Sequence, residues 1–248
     1  MARNHVWGTC MNGEVEIILY DDEKYREQSM DVLRKSFFLN EMVCIGAEIN
    51  LNLQAQKDLE QLCLDVGRRG VSLIARHVSS GEIVGVSFNV LQTRSAPGDL
   101  NYFETFRDDH CISENSKCTM NYMITMDSKV NLFEKFNIDC LLEIMFISTL
   151  PEYEGKGIAS KLVNCAVELA KLLKAGQATE YLPEDERHKQ PMLVSALFTS
   201  RISQRVGAKC GFNLINEVPF DEFVFRGKSF TERIGPEHPT SFLVAKDI

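Results

Sequence analysis

The sequence predicts a mixed-sheet fold of the α/β (α+β) class, on three observations. Residues 71–78 (VSLIARHV) and 82–93 (EIVGVSFNVLQT) are β-like runs on either side of Ser79-Ser80-Gly81, a short-loop hairpin signal. Residues 140–149 (CLLEIMFIST) form a strongly apolar run suited to a sheet interior, and a glycine turn then opens an amphipathic helix. The composition, 44% hydrophobic and 25% charged, is that of a globular chain long enough to bury a sizeable core. Hairpins combined with strand–helix–strand crossovers give a mixed sheet.

The elements follow in order. Residues 14–20 (EVEIILY) read as a strand, and Asp21-Asp22-Glu23 as a helix start. Tyr25, Met30, Leu33 and Phe37 share one face of a helix over 24–38. A break at 40–50 precedes a second helix over 51–68, with Leu51, Leu59, Leu62 and Val66 as its buried face and Gly67 and Gly70 at its end. After the hairpin, residues 94–117 are polar and irregular, with Pro97-Gly98 as a breaker and a short helix at 102–108. A long helix is expected over 118–136. The strand at 140–149 stops at Pro151, and Gly155-Lys156-Gly157 leads into a helix with Ile158, Leu162, Cys165, Ala166, Leu169, Leu172 and Leu173 on one stripe, ended by Gly176. Residues 179–190 read as a charged surface loop, 192–198 as a strand and 199–209 as a helix. Residues 212–218, 222–225 and 241–245 read as further strands.

Charge and cysteine usage exclude several functions. A net charge of −8 disfavours nucleic acid, which selects basic stripes. It mildly favours a cationic small substrate, although on charge alone solubility is the better reading. No apolar stretch approaches the length of a membrane span, and the N-terminus shows no secretory pattern, so no membrane association and a cytoplasmic location are expected. The cysteines are scattered without any C-x-x-C pair, which suits reduced, structural thiols and offers no zinc spacing; no metal is expected.

The strand–turn–helix at 140–173 carries the chemistry. The unpaired first-turn amides of a helix, at the positive end of its dipole, make an anion site, and glycines let the backbone approach closely. A nucleoside-triphosphate loop is excluded because Leu150 is not glycine and Lys156 is followed by Gly157. A dinucleotide fingerprint fails at Ser160, its third position, and lacks the acidic residue about 20 positions on. A purely steric role for the glycines is the remaining alternative.

The stretch 143–162, EIMFISTLPEYEGKGIASKL, resembles the acyl-CoA-binding core of the GNAT superfamily, whose pattern is Q/R-x-x-G-x-G/A. Three further segments resemble the insect arylalkylamine N-acetyltransferases: Phe37-Phe38-Leu39-Asn40-Glu41-Met42, residues 132–143 (LFEKFNIDCLLE), and Thr199-Ser200-Arg201-Ile202-Ser203 with Gly211-Phe212. The resemblance covers most of the chain. It implies one GNAT domain over 1–248, a mixed, mostly antiparallel central sheet flanked by helices, with acetyl-CoA as co-substrate. It also implies that Glu154, Gly155, Lys156, Gly157, Ile158 and Ala159 hold the CoA diphosphate. The sequence departs from the pattern at Glu152, which stands for Gln or Arg. It departs again at Asn40 and Met42, which flank the glutamate in place of Asp and Pro, and at Arg201, which stands for His. Glu154 adds a second carboxylate beside the proposed diphosphate.

Transfer to an amine requires a neutral nucleophile, and an alkylamine with a pKa of about 10.4 costs roughly 4–5 kcal/mol to deprotonate at pH 7. The resemblance implies Glu41 as the carboxylate that takes this proton, directly or through a water. Backbone amides of Phe146 and Ile147 are placed to stabilise the oxyanion. Ser203 reads equally as a donor to the departing thiolate and as part of a helix cap. Thr199 and Ser200, expected near the substrate, read first as caps. No covalent acyl-enzyme is required, and direct transfer in a ternary complex is expected. The acceptor expected from the resemblance is an arylalkylamine of the dopamine, tryptamine or serotonin type. Agmatine, polyamines, amino acids and longer acyl donors stay open, as does a catalytically silent acyl-CoA-binding protein. A monomer is expected.

Overall fold

The structure is a computed structural model that describes residues 5–96 and 98–248. Pro97 of the expected breaker, and the first four residues of the N-terminus read above, lie outside the described residues.

The hairpin β1 (Val6–Cys10) and β2 (Val15–Leu19) leads into α1 (Asp22–Val32), which Asp21 caps by accepting from the amides of Glu23 and Lys24. The chain continues through a π-turn at Leu33–Phe37 into α2 (Phe38–Asn40), α3 (Met42–Gly46) and α4 (Leu53–Gly67). The second hairpin pairs β3 (Leu73–His77) with β4 (Ile83–Thr93). Three helices, α5 (Tyr102–His110), α6 (Glu114–Lys129) and α7 (Leu132–Phe136), precede β5 (Cys140–Thr149). Then come α8 (Ile158–Lys174), β6 (Leu193–Phe198), α9 (Arg201–Lys209) and β7 (Asn213–Pro219). The chain ends with the small hairpin β8 (Val224–Phe225) and β9 (Lys228–Ser229), α10 (Phe230–Ile234) and β10 (Thr240–Asp247).

The main sheet has the order β1-β2-β3-β4-β5-β6-β10-β7 and is antiparallel except for β5 against β6. Both faces of β4 are covered, so it is buried from Ile83 to Leu91 instead of alternating. Gly85 faces Ile158 of α8. Phe88, three residues on and therefore on the opposite face, packs on Tyr20 and approaches Gly67 at the end of α4. The sheet is thus sandwiched between α8 on one side and α4 on the other.

Several expected boundaries move for identifiable reasons. The long helix expected over 118–136 is two helices. Val130 is extended, and Asn131 starts α7 by accepting from the Glu134 amide, the competing bond that asparagine offers at a helix start. Leu51 does not join the buried face of α4 and is 78% exposed, because Asn52 caps that helix and leaves Leu51 in the turn before it. The expected break at 40–50 holds α3. Of the expected strand at 222–225, only Val224 and Phe225 pair, since Phe220–Glu222 turns as a 3-10 segment.

Helix α9 lies against β6 through Gly207, where a Cβ would come within 2.3 Å of the buried Phe198 ring. Gly207→Ala should therefore lower stability by about 1–3 kcal/mol, the usual cost of overpacking. The check is a lower denaturant midpoint at unchanged slope, and an unchanged midpoint would mean that the ring moves aside freely.

Candidate active site

Strand β5 is the frame of the site. Its pairing with β6 covers only Leu142↔Val194, Glu143↔Ser195 and Ile144↔Ala196. On the other edge, Phe88 pairs with Phe146 and Asn89 with Ile144, so Met145 is an extra residue, a β-bulge. The bulge sits where the parallel pairing stops. From there to Thr149 the β6 edge of β5 is open, and every second residue turns its N–H and C=O toward the gap. Phe146 and Ile147 line the cavity that fills it, whose volume is about 580 Å³.

The same cavity reaches the glycine turn. Gly155 and Gly157 have φ of +72° and +83°, a region where side chains are strained. Gly157 occupies the N-cap position of α8 without any side-chain cap, and the first turn carries no acidic residue. The amides that open a 17-residue helix are thereby left for an anion, at the positive end of the dipole. Glu154, Gly155, Gly157, Ile158 and Ala159 border the cavity, but Lys156 does not, because its ammonium rests over the Tyr153 ring at 4.8 Å. Glu152 is exposed and outside the lining, whereas the exposed Glu154 remains beside it. A cation the sequence reading missed, Lys209 at the end of α9, also lines the cavity.

Glu41 lines the same cavity. It is the N-cap of α3, with Oε2 accepting from the Cys44 amide at 2.8 Å. Thr199 Oγ1 donates to Glu41 Oε1 at 2.6 Å. Thr199 was expected as a cap, and the structure corrects this: its hydroxyl is spent on a carboxylate 158 positions away. Ser200 caps α9 instead. Its Oγ accepts from the Ser203 amide, and Ser203 Oγ accepts from the Ser200 amide, both at 3.1 Å. The Ser203 hydroxyl also donates to Ser200 O at 3.0 Å. All three side chains line the cavity with Glu41.

Other residues of the site had no signal in the sequence. His238 lines the cavity from the segment before β10, and its Nδ1 accepts from the Arg201 amide at 3.1 Å. Arg201 Nε also bonds Glu237 O at 2.7 Å, so the arginine that departs from the family pattern holds a histidine at the site from another element. The Phe37 ring meets Phe146 edge-on at 5.3 Å and closes the wall next to Glu41. All eight cysteines are free thiols. Burial raises Cys140 and Cys165 to about 11 and Cys44 well above its ordinary value, the behaviour of small hydrophobes rather than nucleophiles.

No protein-family model matches the chain. Among solved structures, arylalkylamine N-acetyltransferase 2 from Aedes aegypti is similar at a TM-score of 0.75 and 24% identity, covering 94% of this chain and 99% of that one. The Drosophila melanogaster polyamine N-acetyltransferase, an enzyme that forms N-acetylagmatine, is similar at a TM-score of 0.72 and 15% identity, covering 94% and 100%. The C-terminal condensation domain of Ebony, solved with β-alanyl-dopamine, is similar at a TM-score of 0.60 and 12% identity, covering 94% and 99%. The chain has the fold of the GNAT acetyltransferases, a mostly antiparallel sheet flanked by helices and splayed at one parallel pair.

Proposed function

We propose that the protein is an acyl-CoA-dependent N-acyltransferase. It moves an acetyl or longer acyl group from CoA to the primary amine of a small molecule, by direct transfer in a ternary complex. The observation that carries this reading is one continuous cavity joining three features: the uncapped start of α8, the open edge of β5 beyond Met145, and the carboxylate of Glu41. The names of the structural neighbours, acetyltransferases of arylalkylamines and of polyamines, support the same reaction class.

In this reading the CoA diphosphate lies on the amides at the start of α8, and the thioester runs into the gap between β5 and β6. An amide of Phe146 or Ile147 receives the oxyanion, beside the edge-on rings of Phe37 and Phe146. Glu41, fixed by two donors and with lone pairs to spare, binds the ammonium and takes its proton. Thr199 positions that carboxylate. Ser203 gives its proton to the departing thiolate. The acceptor is a small amine with an apolar spacer, since Phe37, Phe103, Met120 and Met123 line its side of the cavity. An arylalkylamine fits that description, as does a longer alkylamine.

A thiol-release assay with acetyl-CoA and a panel of amines tests the whole reading. Amine-dependent thiol release is expected; CoA affinity without turnover would make the chain a silent acyl-CoA binder. Glu41→Ala should lower kcat/KM by about 10²-fold or more. Part of that loss should return between pH 7 and 9, because the neutral fraction of an amine of pKa about 10.4 rises roughly 100-fold over that range. An unchanged rate and pH profile would leave Glu41 as no more than a cap of α3. Gly157→Val should weaken CoA binding, since the φ of +83° is lost or strained and the anion site with it; calorimetric affinity equal to wild type would remove the diphosphate from this turn. Ser203→Ala should reduce kcat more than it raises the KM for acetyl-CoA. Intact kcat with a stability loss of about 1 kcal/mol would confine Ser203 to its cap.

A further inference from the structure

The cavity continues along β5 away from the glycine turn, toward the start of the strand, where Leu59, Leu62, Phe103, Met120 and Met123 line it. One carboxyl stands in this apolar wall. Glu143 is only 6% exposed and lines the cavity. Gln92 Nε2 donates to one of its oxygens, and the other takes no hydrogen bond from any described residue. A second carboxyl lies behind it. Asp127 follows Met120 by seven positions and Met123 by four, so it shares the face of α6 that these cavity-lining methionines occupy. Asp127 also takes no hydrogen bond from the described residues.

The buried Glu143 lacks the partner that buried charge ordinarily has, and the half-buried Asp127 beside it supplies none. No basic side chain acts on either of them, and neither forms an ion pair among the described residues. Burial holds both above the usual carboxylate range, and the charge of Asp127 raises Glu143 further. The lining does contain bases, Lys209 and His238, but these come from α9 and the segment before β10. A neutral, well-packed residue would serve packing better at Glu143 than an unpaired acid.

We propose that Glu143, with Asp127 behind it, binds a second cationic group of the acyl acceptor, so that the substrate is a diamine or a guanidinoalkylamine rather than a monoamine. This rests on the transfer reaction proposed above. Glu143 precedes Phe146 by three residues and both line the one cavity, so a short flexible alkyl chain can join the two positions. Methionine is the side chain that adapts best to such a chain, and Met120 and Met123 flank the path. One end of the substrate thus meets Glu41 for reaction, and the other meets Glu143 for recognition.

The test uses the full chain saturated with CoA. The Kd values of 1,4-diaminobutane and 1,6-diaminohexane are compared by calorimetry with those of 1-aminobutane and 1-aminohexane, and kcat/KM is measured for all four with acetyl-CoA. Wild type should favour each diamine over its matched monoamine by about 10- to 100-fold, the range of one charge-assisted contact. Glu143→Gln keeps the shape and the contact with Gln92, and it should cost the diamines far more than the monoamines and abolish the preference. Asp127→Asn should narrow the preference in the same direction. Equal use of diamines and monoamines by wild type, or equal losses for both in Glu143→Gln, would overturn the site while leaving amine transfer standing. Absence of thiol release with every amine would overturn both.

Discussion

The bulge at Met145 is the constraint on which the rest of the site depends. A parallel pair that continued past Ile144↔Ala196 would close the sheet, engage the backbone groups now facing the gap and leave no cavity beside β5. One extra residue ends that pairing while the antiparallel pairing with β4 runs on to Thr149, so β5 stays rigid on one edge and is open on the other. The cavity, the exposed amides and the approach of the glycine turn all follow from that local departure from a regular ladder. Burial of β4 on both faces, by α8 and by α4, holds in place the strand that backs the bulge.

A second level of organisation is electrostatic. The positive end of α8 faces one end of the cavity and carboxylates face the other, which suits an anionic cofactor meeting a cationic acceptor. Glu41 is tied to two segments of the chain at once, the start of α3 through Cys44 and the end of β6 through Thr199. That bond joins the helical layer to the splayed strand and fixes a carboxylate where the pair opens. Ser200 and Ser203 meanwhile hold the start of α9, so the same short turn supplies both a structural cap and the hydroxyls of the site.

Local pattern made parts of this legible. The apolar run at 140–149 coincides with β5, and of the α8 stripe Ile158, Leu162, Cys165, Ala166, Leu169 and Leu173 are buried while Leu172, at its edge, is only half-buried, because burial on a sheet face leaves a direct imprint on composition. Where a side-chain bond competes with the helix, as at Asn52 and Asn131, periodicity misplaced the boundary. The site was legible only where one segment contains it, as in the glycine turn. The Thr199–Glu41 bond, the arrival of His238 and the approach of Asp127 to Glu143 bring together residues on different elements, and no spacing rule encodes them. Glu143 begins the stretch 143–162, yet a single acid in an apolar strand carries no sign in the sequence of facing a cavity.

The central claim is that the gap opened by Met145 holds the thioester of an acyl-CoA with its carbonyl on the β5 backbone. A crystal structure with a ketone analogue of acetyl-CoA, in which a methylene replaces the leaving sulfur link, tests it most directly. The account predicts the diphosphate on the amides at the start of α8 and the ketone oxygen within hydrogen-bonding distance of an amide of Phe146 or Ile147. An analogue bound elsewhere, or seated with its ketone outside the β5–β6 gap, would contradict it.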